Sequence, residues 1–209
     1  MSASPVSTRR GVLALAMGAL LAVSACDRLP GSTAAPSFRG IDITGAPYAR
    51  TLNLTDQHGQ ARSLADFRGQ VVMLFFGFVQ CPDVCPTALA RAAEVMHALG
   101  DDADRVQLLF VTVDPERDTP EVLQAYIDAF DPSFLALTGS MDEIRAAASE
   151  FRVFFRQVPT GSSYTVDHSA MTYLIDPQGE PRVVLRHEQS IEDYTHDVRL
   201  LLHNDPGRA

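Results

Sequence analysis

The stretch Val71-Val72-Met73-Leu74-Phe75-Phe76 is an unbroken apolar run that leads almost at once into Cys81-Pro82-Asp83-Val84-Cys85-Pro86. A half-exposed strand alternates polar and apolar residues, so an uninterrupted run of this length reads as a strand buried on both faces. Such a strand needs cover on both sides, which commits the chain to a sheet with helices above and below it.

The neighbouring segments agree. Thr51 to Thr55 and Ala61 to Leu64, either side of His58-Gly59, read as a hairpin. Leu89, Ala92, Ala93, Met96 and Leu99 recur at helical spacing within Thr87 to Leu99, and Gly100 ends that helix. Val106 to Val113 is a second buried strand. Thr119-Pro120 supplies an N-cap and a first-turn proline for a helix expected to bury Val122, Leu123, Tyr126, Ile127 and Phe130. Ser140 with Glu143 makes a capping box. Strands at Met171 to Ile175 and Val183 to Arg186 flank the turn Asp176-Pro177-Gln178-Gly179, and Ser190 with Asp193 opens a last helix. This order resembles a thioredoxin-like α/β layout: a central mixed sheet flanked by helices on both faces.

Arg9 and Arg10 precede an apolar run from Val12 to Val23 that ends at Ser24, Ala25 and Cys26. The run is short of the roughly 20 residues a membrane span needs, and with its basic start it has the shape of an export signal. Val23-Ser24-Ala25-Cys26 resembles a bacterial lipobox. The expected division is a lipoprotein signal peptide over residues 1–25, a lipid anchor on Cys26, a tether over 26–50 rich in proline and glycine, and the folded domain over 51–205. That places the domain in the periplasm of a bacterial envelope, tied to the outer face of the inner membrane. All 17 basic residues are arginine and the net charge is −9. With no basic run to track a phosphate backbone, nucleic acid is not an expected partner.

If Cys26 carries lipid, Cys81 and Cys85 remain, four positions apart in an oxidising compartment. They form a disulfide, a metal site, or each in turn. They stand where a strand gives way to a helix N-terminus, where orphan N–H groups and the helix dipole favour thiolates. Three intervening residues put the sulfurs about one turn apart on one side, and soft thiolates select Cu(I) or Zn(II), with a neutral imidazole as a natural third ligand. Two thiolates leave a Cu(I) site at −1 and a Cu(II) site neutral, so one pair tolerates both copper states.

Of six histidines, His58, His97, His187, His196 and His203 read as solvated surface. His168 precedes the strand expected beside the cysteine-bearing strand, so its loop should overhang the thiols. Around the ligands, Asp167 is a candidate to orient or neutralise the site, and Asp83 is a further candidate beside the cysteines. Asp114, Arg117 and Asp118 are expected to form a loop near the site, either held by ion pairs or acting on the site. Met171 offers a thioether, although core packing is the stronger expectation for it.

Three segments together resemble the Sco/SenC family of copper chaperones: Cys81 to Thr87, Val113-Asp114-Pro115-Glu116-Arg117-Asp118-Thr119-Pro120, and Val166-Asp167-His168-Ser169 leading into Tyr173 to Gly179. The resemblance implies one copper ion, Cu(I) or Cu(II), bound by Cys81, Cys85 and His168. It also implies a partner, cytochrome c oxidase subunit II or another copper-accepting protein. That partner receives copper at its binuclear Cu-A centre or has its cysteines reduced. A thiol-disulfide oxidoreductase is therefore the competing activity, and there His168 should be dispensable. A peroxiredoxin-like peroxidase fits poorly, because two closely spaced thiols are not its pattern.

Overall fold

Every position of β4 (Val71–Gly77) is buried, because both of its faces are covered. It pairs in parallel with β5 (Val106–Thr112) on one side and antiparallel with β9 (Met171–Ile175) on the other. The computed structural model describes residues 37–203. The remaining strands of the main sheet are β1 (Ile41–Asp42), β2 (Asn53–Asp56), β3 (Ala61–Ser63), β6 (Leu135–Thr138) and β10 (Pro181–Arg186), giving the order β1-β10-β9-β4-β5-β6-β2-β3.

Four α-helices lie among the described residues: α1 (Val84–Leu99), α2 (Pro120–Asp128), α3 (Met141–Glu150) and α4 (Ile191–His203). Ring contacts show which faces they cover. Phe75 and Phe110 are register partners with centroids 6.4 Å apart, and Tyr126 of α2 reaches Phe110. Phe76, one residue on and so on the opposite face, meets Phe151 at the C-cap of α3. Helices therefore cover both faces of a mixed sheet, and the fold is thioredoxin-like. The helix starts are capped as their sequences require: the Thr119 hydroxyl accepts from Val122 N–H, Ser140 and Glu143 form a reciprocal box, and Ser190 and Asp193 exchange bonds.

Four features depart from expectation. β6 is an added strand, four residues long, beside β5. Residues before β9 form a separate two-stranded hairpin, β7 (Phe155–Thr160) with β8 (Ser163–His168), rather than a loop. The compact unit begins at Phe38, not Thr51, so the stretch expected as the end of a tether is folded. There Ile41 pairs with Val184 of β10. The buried carboxylate of Asp197 accepts the N–H groups of Arg39 and Gly40, each at 2.8 Å. Gly40 is needed at that docking point: a Cβ would stand 2.5 Å from Val183. Val122, expected in the core, is exposed, since Leu123 and Ile127 carry the buried face of α2. The signal peptide and Cys26 lie outside the described residues. Among the described residues no helix is long and apolar enough to cross a membrane.

Asp197→Ala would leave two backbone donors without their acceptor, a cost of about 1–3 kcal/mol. The urea midpoint should fall accordingly and the segment around Arg39 should become cleavable by protease. An unchanged midpoint would show that the N-terminal segment is not held by this carboxylate.

Candidate metal centre

Helix α1 starts at Val84, three residues before the expected Thr87, so Cys85 lies in its first turn and Cys81 in the turn that leads into it. Pro86 is tolerated there because the first turn has no intrahelical acceptor for its missing N–H. Asp83 occupies the N-cap position without a capping side-chain bond. It contributes through its backbone: its N–H points at Cys81 and its carbonyl accepts the Thr87 hydroxyl at 2.8 Å.

The two sulfurs are unequal. Cys85 donates its S–H to Cys81, and the N–H groups of Asp83 and Cys85 add to that, holding the Cys81 thiol down at about 5 against the opposing effect of burial. Donating that bond, together with burial, pushes Cys85 up. Cys81 therefore ionises first. The space for the Cys85 sulfur exists because residue 77 is glycine: a Cβ there would lie 2.7 Å from Cys85 Sγ and 2.8 Å from the Phe110 ring.

His168 ends β8. Alternation along the strand puts Tyr164, Val166 and His168 on one face and Asp167 on the other. The inner face meets the domain: Val166 is buried, and the His168 ring stands edge-on to Phe75 and Phe78 at 6.3 and 5.6 Å. His168 Nδ1 lies 3.3 Å from the Val166 carbonyl, and Nε2 lies 3.4 Å from Cys85 Sγ. With Nδ1 on a carbonyl, Nε2 is the free donor for a metal. Ligand atoms of Cys81, Cys85 and His168 all fall within 4.8 Å of one another.

The other candidate residues have different roles. Asp167 faces outward and pairs with Arg156 of β7 at 3.3 Å, so it does not neutralise the site. Met171, expected in the core, is exposed at the start of β9. Asp114 and Asp118 are both buried. Asp114 pairs with Arg117 and accepts the Tyr164 hydroxyl at 2.8 Å. Asp118 accepts the Thr112 hydroxyl at 2.6 Å and the Val79 N–H at 3.1 Å, while its Oδ1 has no hydrogen-bond partner. Burial raises its pKa. These carboxylates organise the loops beside the cysteines and lie outside the three-residue group. His187, expected as solvated surface, is half-buried with Arg91 3.5 Å from its Nδ1. Burial and that guanidinium lower its pKa, and it lies within electrostatic reach of Asp83 and Cys81. Arg117 forms with Asp114 the ion pair expected to hold their loop, whereas the role of Gly77 escaped the sequence reading. Gly77 left one signal, a glycine ending an otherwise apolar strand.

The model of the family described as SCO1/SenC matches residues 42–203. The chain belongs to the SCO1/SenC family. It is 39% identical over 138 residues to the SCO2-like protein of Rickettsia prowazekii, an alignment covering 65% of each chain. It is 40% identical over 151 residues to the mitochondrial SCO2 homolog of Bos taurus, covering 70% of this chain and 57% of that one. The chain thus spans less than two thirds of the length of either relative. Among solved structures it resembles Bradyrhizobium japonicum ScoI with copper bound, at 38% identity and a TM-score of 0.69, covering 74% of this chain and 99% of that one.

Two outcomes are expected of the reduced SCO1/SenC chain. Alkylation of Cys81 should stay fast at neutral pH and slow only as pH falls through about 5, while Cys85→Ala, which removes the S–H donor, should move that midpoint upward. A midpoint in the ordinary range near 8.5 would contradict the hydrogen-bonded thiolate. Gly77→Ala should displace the Cys85 sulfur and weaken any metal held by the pair, read by competition with a chelator. Unchanged affinity would show that the strand yields instead.

Proposed function

We propose that this chain is a copper metallochaperone, in which Cys81, Cys85 and His168 bind one copper ion and hand it by ligand exchange to the Cu-A centre of cytochrome c oxidase subunit II. The observation that carries the reading is the gathering of two thiol sulfurs and one imidazole nitrogen within 4.8 Å. Two soft sulfurs and a borderline nitrogen are a donor set for Cu(I), with enough charge for Cu(II) as well. The copper-bound ScoI supports it by likeness. The acceptor is drawn from the family resemblance, as is the setting. Residues 1–25 serve as the signal peptide, and a lipid on Cys26 holds the domain at the periplasmic face of the inner membrane.

A second reading has a specific observation in its favour. Cys81 is held at about 5 with Cys85 beside it, the arrangement of an attacking thiolate and a resolving thiol. In that chemistry the Cys81 thiolate attacks a partner disulfide and expels one partner thiolate. The Cys85 thiolate then displaces the second, leaving the partner reduced and Cys81–Cys85 oxidised. The position of His168, with Nε2 turned toward Cys85, favours metal binding over this alternative.

Copper titration of the reduced chain, with His168→Ala alongside, separates the two. The substitution should weaken copper binding by about 10-fold or more while leaving reduction of a model disulfide in place. Undiminished affinity would discard the three-ligand site and leave a dithiol reductant.

A further inference from the structure

The hairpin of β7 and β8 forms its own two-stranded sheet and shares no strand ladder with the main one. A two-stranded hairpin is marginal alone, so side-chain moorings must decide where His168 sits. At its open end, the Ser169 N–H donates to the Phe154 carbonyl at 2.9 Å and the Ser169 hydroxyl accepts the Phe154 N–H at 3.1 Å. That fixes the hairpin to its own stem. It does not fix the distance to the cysteines.

One side chain spans that gap. Arg117, in the loop after β5, pairs through Nε with the buried Asp114. Its Nη1 donates to the Tyr164 carbonyl at 2.9 Å and to Gln80 Oε1 at 3.0 Å, and its guanidinium carbon lies 3.8 Å from the Tyr164 ring centroid. Tyr164 closes the loop by donating its hydroxyl to Asp114 at 2.8 Å. Gln80 immediately precedes Cys81, and Tyr164 lies on the same face of β8 as His168. One guanidinium therefore joins the cysteine loop, the loop after β5 and the histidine strand. Its Nη2 is buried without a hydrogen-bond partner, so the contacts through Nε, Nη1 and the ring face hold the guanidinium in place against that cost.

Resting on the copper reading above, we infer that Arg117 is a positioning residue: by clamping Tyr164 and Gln80 together it sets the register and distance at which His168 meets Cys81 and Cys85. The planar fork is essential, because a point charge cannot both stack on the ring and bond two acceptors at fixed angles. Its loss would let β8 rock or slip. A one-residue slip turns His168 to the solvent face, and the site then falls back to two thiols. Arg117 acts only through His168.

The test is a double-mutant cycle on the purified full chain, using Arg117→Ala, His168→Ala and the pair. Copper affinity is read by chelator competition, and imidazole coordination by nitrogen hyperfine structure in the Cu(II) spectrum. Arg117→Ala should weaken copper by about 10- to 100-fold and remove the nitrogen signature. In the His168→Ala background it should add almost nothing, since the two residues report one interaction. Arg117→Lys keeps the charge but not the fork. It should restore the melting temperature more fully than the nitrogen signature. Equal loss in both backgrounds, or an intact signature in either Arg117 variant, would overturn the inference while leaving the copper site standing. A wild-type spectrum unaffected by His168→Ala would remove the copper reading, and this inference with it.

Discussion

The approach of the His168 imidazole to the Cys85 sulfur, at 3.4 Å, is the contact on which the rest of the functional architecture depends. It joins residues 83 positions apart in the chain, one in the first turn of a helix and one at the open end of a hairpin outside the main sheet. Nothing local holds such a pair together. The fold achieves it by building three walls around the sulfur: Gly77 beneath, the rings of Phe75 and Phe78 beside the imidazole, and the hairpin above. The first two walls come from β4 and the residue that follows it and the third from the hairpin, so the buried β4 is the base of the site.

The charge arrangement follows from the same geometry. The helix N-terminus and two backbone N–H groups face Cys81, so charge collects on the sulfur nearer the surface, while the buried Cys85 keeps its proton and gives a hydrogen bond. A metal that replaced that proton would meet two thiolates and an imidazole whose ligand atoms already lie within 4.8 Å of one another. The two readings of function use the same asymmetry, and the imidazole is what separates them. A dithiol reductant needs no nitrogen beside its resolving sulfur.

Local chemistry was legible in the sequence. The buried strand, the capping residues at Thr119, Ser140 and Ser190 and the placement of Cys81 and Cys85 at a strand-to-helix junction all declare themselves within a few residues. What was missed has a common cause. β6 is four residues long and shows no period. The hairpin has mostly exposed positions and a proline, so its pattern resembles a loop. The segment before Thr51 is tied down by Asp197, which lies 158 residues from Arg39. His187 reads as surface until Arg91 is placed beside it. Asp167 and Met171 were assigned by nearness in sequence to His168, and strand alternation sends Asp167 to the outer face.

By itself the sequence determined which groups were available: two thiols at a helix start, one histidine ahead of a core strand, and the apolar run that makes a central strand unavoidable. Tertiary structure alone decided that these groups meet. It did so through contacts between residues far apart in the chain: a missing Cβ at Gly77, two aromatic walls, and an arginine reaching from the loop after β5 to a hairpin tens of residues later. Such contacts leave no periodic trace, because no short segment contains both partners.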